Sequence, residues 1–260
     1  MIEDLEFLSA GAPMSKLGDT IAFAKAENNG TNMLLLDYGT TVGKMLEQTN
    51  VLDGVDRVLA FGSHIHSDHI GGAKQVVDCC AQSRAKLMFL MPDIKRQQKQ
   101  LYTVLTALGI DRIDAVPKDE AADMLNLKAI DFEAIRHNDF DTEFKHFRVD
   151  TTALIMQTKT ERKRNKIIFA SDNNDKKFVR RALSDPELLR LYLELTFKGS
   201  GFGVHFSLKK LNKLAKELEL GDKMKKRVTG MHMISESLSE KIKESGYTSA
   251  LDNIYTGRSL

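Results

Sequence analysis

The sequence predicts an α/β protein organised as a single domain over residues 1–260. Its 260 residues suffice for one large core, and 42% apolar with 28% charged residues is ordinary globular composition. Short apolar or alternating runs recur between helix-spaced segments, once in the first part of the chain and again in the middle. Two strand-rich blocks, each flanked by helical patterns, suggest two sheets packed face to face with helices outside. No stretch has the composition of a linker.

The elements follow in order. Leu5 to Leu8 and Thr20 to Ala24 read as strands, and Asn28-Asn29-Gly30 is a hairpin turn signal before the buried strand Met33 to Gly39. Val42 to Gln48 is a short helix and Arg57 to Phe61 a strand. A helical pattern runs from Ile70 to Cys80, a strand from Lys86 to Met91, and a helix from Lys95 to Leu108, closed by Gly109. Leu127 to Ile135, Thr152 to Thr158 and Lys166 to Ser171 form the second strand block. Phe178 to Leu183 is helical and Leu191 to Phe197 apolar. An amphipathic helix from Ser207 to Leu220 ends at Gly221. A short strand runs to His232, then come a helix from Leu238 to Glu244 and a C-terminal strand from Ser249 to Tyr255.

The chemistry concentrates between the Arg57–Phe61 strand and the helix that follows it. His64, His66, Asp68 and His69 fall within six residues, followed by Gly71-Gly72. Imidazoles and a carboxylate are good ligands for zinc, iron or manganese, and buried together without a cation they are poorly satisfied. Alternation in an extended loop points His64 and His66 the same way, and the turn brings Asp68 and His69 to a second position. That spacing suits two neighbouring metals, one on His64 and His66, the other on Asp68 and His69.

The pattern His-x-His-x-Asp-His followed by Gly-Gly resembles the signature of the metallo-β-lactamase superfamily. The resemblance implies a four-layer αββα sandwich of two mixed sheets, and a pair of divalent cations, zinc first with manganese or iron as alternatives. It also implies further ligands at later strand ends. Asp172, in Ser171-Asp172-Asn173, stands where the superfamily places a bridging aspartate, although Gly-Asp-Thr is commoner there. His146 precedes the strand at Thr152 at the usual spacing of the third-strand histidine and is preferred to His137, which closes the preceding strand. His232 stands where the last histidine ligand is expected. Asp37, in an Asp-x-Gly strand ending, is either a loop cap or a partner that orients a ligand histidine.

Glu194-Leu195-Thr196-Phe197, then His205-Phe206-Ser207 before a lysine-rich helix, resembles one branch of that superfamily, the transfer-RNA 3′-processing endonucleases and their cyclic-nucleotide-cleaving relatives. Carried over, Glu194 orients His205, His205 protonates the leaving oxygen, and Asp68 orients a hydroxide bridging the two metals. The alternative for His205 is a residue at a helix start that Ser207 caps.

Composition narrows the function further. Thirty-eight basic and 36 acidic residues leave a net charge of +2, which argues against a large polyanion as obligatory partner. No Trp and five Tyr offer few platforms for stacked bases. The two cysteines, Cys79 and Cys80, are adjacent in a helical pattern, so a disulfide framework is excluded and a reducing cytoplasm fits. The start, Met1-Ile2-Glu3-Asp4, is acidic and unlike a secretory signal, and no apolar run approaches a membrane span. The expectation is a cytoplasmic, dinuclear-metal phosphodiesterase acting on a nucleotide, cyclic nucleotide or RNA, with a homodimer as the assembly the resemblance implies. Competing readings are a hydrolase of a thioester, lactone or β-lactam, and a catalytically degenerate binding protein. A redox di-iron protein is disfavoured, because that branch carries a glutamate where this chain has His66.

Overall fold

The structure, a computed structural model, describes residues 2–12, 16–136, 150–160, 163–196, 205–231 and 235–256. The first half begins with β1 (Glu6–Ala10), β2 (Thr20–Glu27) and β3 (Thr31–Leu36), followed by α1 (Val42–Thr49) and β4 (Arg57–Phe61). Next come α2 (Ser67–Ile70), α3 (Ala73–Ser83), β5 (Lys86–Leu90), α4 (Lys95–Ala107), β6 (Ala115–Val116) and α5 (Lys118–Met124). The second half begins with β7 (Leu127–Arg136), β8 (Asp150–Thr158), β9 (Lys166–Phe169), α6 (Lys176–Ser184) and β10 (Leu188–Thr196). It continues with β11 (Phe206–Ser207), α7 (Leu208–Glu217), α8 (Asp222–Lys225), β12 (Val228–Met231), α9 (Glu236–Glu244) and β13 (Thr248–Ser249).

The first sheet has the order β1-β2-β3-β4-β5-β6 and the second β13-β12-β10-β9-β8-β7, with β11 beside β10. Both are mixed, and they share one pattern. β1/β2 and β2/β3 are antiparallel, and β3/β4, β4/β5 and β5/β6 parallel. β7/β8 and β8/β9 are antiparallel, and β9/β10, β10/β12 and β12/β13 parallel. Each half is therefore three antiparallel strands followed by βαβ crossovers, which place helices on one face of its sheet.

Strand alternation builds the layers. Leu34, Leu36, Leu59 and Phe61 of the first sheet meet Leu154, Met156, Ile167, Phe169 and Tyr192 of the second in one buried cluster. The intervening residues face outward: Met33, Leu35, Val58 and Ala60 pack on α1, α3 and α4 through Val42, Leu46, Val76 and Leu101. Ile168, Leu191, Leu193 and Leu195 pack on α6, α7 and α9 through Phe178, Leu211, Leu214 and Ile242. The four-layer αββα sandwich expected from the sequence is present. Nearly continuous apolar runs in β3, β4 and β10 follow from burial on both faces.

The hairpin turn is as expected, with Asn29 at φ 52° and Gly30 at φ 111°. Two expectations need correction. The helix from Ile70 to Cys80 is broken into α2 and α3 at Gly71-Gly72, so Asp68 and His69 stand on a one-turn helix rather than in a loop. The C-terminal strand is only Thr248–Ser249. Ser249 then accepts a hydrogen bond from Leu251 N–H, Ala250–Asn253 turn as a 3₁₀ helix, and Tyr255 N–H donates to Phe7 O. A local serine cap thus redirects the tail from the second sheet to β1 of the first. Cys79 and Cys80 are free and buried within α3, as core filling of that helix requires.

Candidate metal centre

The centre lies where β3, β4, β9 and β10 end. Asp37 directly follows β3, and its N–H donates to Phe61 O, locking the ends of β3 and β4 together. Beyond that point the two chain segments pass very close. Tyr38 N–H donates to His69 O and Gly72 N–H to Tyr38 O. A Cβ on Gly39 would stand 2.1 Å from Asp68 O, and one on Gly72 2.2 Å from Gly39 O. This contact accounts both for the Asp-x-Gly strand ending and for the glycine pair that breaks the helix.

The loop from Gly62 to His66 and α2 then present four side chains to one space. His64 Nε2 is 2.9 Å from His66 Nδ1 and 3.5 Å from Asp172 Oδ2. His69 Nε2 is 3.1 Å from Asp68 Oδ2 and 3.8 Å from Asp172 Oδ1. Asp172, three residues past β9, thus turns one oxygen to the His64/His66 pair and the other to His69. His64, His69 and Asp172 are buried, while His66 and Asp68 are partly exposed.

Donor atoms of His64, His66 and Asp172 all lie within 4.8 Å of one another, as do those of Asp172, Glu194 and His205, and those of Asp37, His69 and Glu194. Four imidazoles and several carboxylates brought together in a largely buried space are costly without a cation to share. The set of nitrogen and carboxylate-oxygen donors fits zinc, manganese or iron.

Asp37 sits behind this group. Its Oδ2 receives His69 Nδ1 at 2.8 Å and its Oδ1 the Ser63 N–H at 2.7 Å. Of the two roles the sequence left open for Asp37, the geometry shows the histidine contact and the strand-end lock together. Burial works to lower the His69 pKa, but the carboxylates of Asp37 and Asp172 and the hydrogen bonds it gives to Asp37 and Asp68 hold it well above the ordinary value.

On the second sheet, Glu194 shares the inward face of β10 with Tyr192, two residues earlier. That alternation delivers a fully buried carboxylate to the centre. The parallel pairing of Leu195 with Phe206 brings β11 alongside and with it His205. His205 Nδ1 is 3.0 Å from Asp172 Oδ1 and 3.3 Å from Glu194 Oε2. Burial disfavours the imidazolium, but these two carboxylates outweigh it and push the His205 pKa up to about 10. A cation bound at Asp172 opposes that shift, since it takes up the same negative charge. Ser207 also caps α7, accepting from Lys210 N–H, so the helix start and the Glu194 contact coexist.

The structure therefore brings together His64, His66, Asp68, His69, Asp172, Glu194 and His205. His137, His146 and His232 lie outside the described residues. Three contacts had no counterpart in the sequence reading: His205 with Asp172, and the hydroxyls of Ser63 and Ser171 with Asp37. Only the unusual Ser at position 171 before Asp172 hinted at the last. Among the described residues, no helix is long and apolar enough to cross a membrane.

Solved structures share this architecture at low sequence identity. The metallo-β-lactamase fold protein YhfI from Bacillus subtilis superposes with a TM-score of 0.62 at 14% identity, covering 94% of each chain. A diphosphatase of the PhnP family gives 0.59 at 13%, covering 94% of this chain and 93% of its own. The short form of human tRNase Z gives 0.58 at 14%, covering 96% of each. The fold is that of the metallo-β-lactamases. No curated protein sequence matches the chain. Residues 14–252 match the family described as "Anti-Pycsar protein Apyc1", and since that match spans most of the sequence, the chain belongs to this family.

Proposed function

We propose that the chain is a metal-dependent phosphodiesterase that opens a cyclic nucleotide to its monophosphate. The observation that carries this reading is the imidazole of His205, held by Glu194 and Asp172 beside the donor cluster. The family's anti-Pycsar description supports a cyclic nucleotide in particular. The net charge of +2 favours a small phosphate ester over a long polyanion.

His64, His66, Asp68, His69 and Asp172 would hold two divalent cations, with His146 and His232 as proposed further ligands. When bound, the cations supply Lewis-acid activation of water and charge neutralisation at the phosphate. The chain's own residues do the rest. Asp172 and Glu194 keep Nδ1 of His205 engaged, so Nε2 is the nitrogen that addresses the substrate. Asp68, partly exposed beside His69, orients the attacking water. The water oxygen bonds to phosphorus, the ring P–O bond breaks, and His205 gives its proton to the leaving oxygen. A proton from the consumed water restores His205, and the product is a monoester.

The test is a turnover panel on the purified, metal-loaded chain, read by chromatography: cyclic mononucleotides, a generic phosphodiester, precursor transfer RNA, a thioester and a β-lactam. Conversion of cyclic mononucleotides to monophosphates is expected. Preferred cleavage of precursor transfer RNA would replace the small substrate by RNA, and turnover of the thioester or β-lactam alone would overturn the phosphodiesterase reading.

A further inference from the structure

Behind the metal centre, two serine hydroxyls lie between a buried carboxylate and a histidine. Ser63 Oγ is 3.0 Å from His64 Nδ1, 2.9 Å from Ser171 Oγ and 3.1 Å from Asp37 Oδ2. Ser171 Oγ donates to Asp37 Oδ2 at 3.0 Å, the oxygen that also receives His69 Nδ1. All five residues are buried. Asp37 and Ser63 come from the first sheet, and Ser171 follows β9 of the second.

Counting protons gives the set a direction. A carboxylate only accepts, and each hydroxyl has one proton to give. His64 Nε2 faces His66 and Asp172, so its lone pair is available to a cation there only if Nδ1 carries the ring proton. That proton then points at Ser63 Oγ. Ser63 in turn gives its proton to Asp37, directly or by way of Ser171, and Ser171 gives its own to Asp37. Three protons thus serve four contacts, and by either route the sequence of donors ends on the single group that has none to give.

The backbone adds a second observation. Ser171 stands at φ 44°, in the left-handed region that glycine occupies without strain. A residue with a side chain is costly there, and what the serine adds over glycine is the hydroxyl that bonds Asp37.

We infer that Ser63 and Ser171 are positioning residues, forming a hydroxyl relay through which Asp37 sets the tautomer and ring orientation of His64. Asp37 does the same for His69 by direct contact. One carboxylate thereby orients a histidine of each donor pair, and the Ser171 link ties that orientation to the packing of one sheet on the other. The inference rests on the metal-centre reading of the proposed function and concerns how the chain prepares its donors.

The test uses the full chain with Ser171→Ala, Ser171→Gly and Ser63→Ala. Zinc affinity is measured by chelator competition and ligand geometry by the cobalt(II) absorption spectrum. Loss of an outer partner of a ligand histidine weakens metal binding by about 10- to 100-fold, and that loss with an altered cobalt spectrum is expected in all three variants. Ser171→Gly guards against misfolding, because it removes the hydroxyl while relieving the backbone. Its metal-free circular dichroism should match the parent. Wild-type zinc affinity and an unchanged cobalt spectrum in Ser63→Ala would overturn the relay, and the same result in Ser171→Ala and Ser171→Gly would overturn the Ser171 link. A parent chain that binds no divalent cation would overturn the metal reading instead. The relay itself is read without metal by nitrogen NMR, at a pH where His64 is neutral. The Nδ1–H tautomer should dominate in the parent and lose that dominance in Ser63→Ala; a parent in the Nε2–H form would overturn it.

Discussion

His205 Nδ1 lies 3.0 Å from Asp172 Oδ1, so the proposed proton donor and a proposed metal ligand are in direct contact. The second carboxylate on the same nitrogen is Glu194, at 3.3 Å. Both carboxylates lie against one nitrogen of the ring, and in the proposed mechanism the other nitrogen serves the substrate.

In the proposed mechanism His205 moves a proton and holds no metal. His205→Ala and His205→Gln are expected to lower kcat by about 10²–10⁴-fold, the usual contribution of a positioned acid. Metal content, measured by atomic spectroscopy, should stay at the parent level, because His64, His66, Asp68, His69 and Asp172 remain. Loss of metal in His205→Gln would show His205 to be a ligand rather than the proton donor.

Removal of metal has a stability consequence. Asp37, Asp68, Asp172 and Glu194 converge with His64 and His69, and a cation that binds only the folded chain stabilises it by mass action. At a free zinc concentration about 100 times Kd the gain is about 2.7 kcal/mol. Calorimetry with and without chelator should show the midpoint rising with zinc concentration. A midpoint independent of zinc would mean that the donor cluster holds none.

How much of this was legible in the sequence depended on distance along the chain. His64, His66, Asp68 and His69 share one short stretch, so their chemistry could be read from spacing alone. Asp172 and Glu194 are far from that stretch, and it was the family resemblance, applied at the ends of the apolar runs of β9 and β10, that singled them out. Ser63 and Ser171 were not legible, because their partner Asp37 lies 26 and 134 residues away and only the packed sheets bring them together. The break between α2 and α3 was hidden for the same reason: Gly72 is required by Gly39, not by its neighbours in sequence. By contrast, α5 went unread although its signals are local, with Pro117 before it and Asp119 and Glu120 in its first turn.

Arg84 is a point of local backbone strain. It ends α3 in the left-handed conformation at φ 62°, exposed to solvent. A side chain there costs about 1–2 kcal/mol, partly offset by the greater freedom that glycine has in the unfolded chain, about 0.5–1 kcal/mol. Arg84→Gly should therefore stabilise the protein by about 0.5–1 kcal/mol, seen as a higher urea midpoint with unchanged slope. A lower midpoint would mean that the arginine contributes more than its backbone costs.

Phe61 connects the core to the centre. It is fully buried between the sheets, stacks on Phe132 at 5.8 Å between ring centroids, and directly precedes the loop that carries His64. Its backbone carbonyl also receives Asp37 N–H. Phe61→Ala should cost about 3–5 kcal/mol in urea denaturation, as expected for a large aromatic lost from a packed interior. Phe61→Leu keeps most of the volume and should cost less. The carbonyl that positions Asp37 belongs to the backbone, so zinc affinity in Phe61→Leu should stay within a few fold of the parent while stability falls. A parallel collapse of affinity in Phe61→Leu would show that the packing of this ring, and not the strand-end hydrogen bonds alone, holds the donor loop in place.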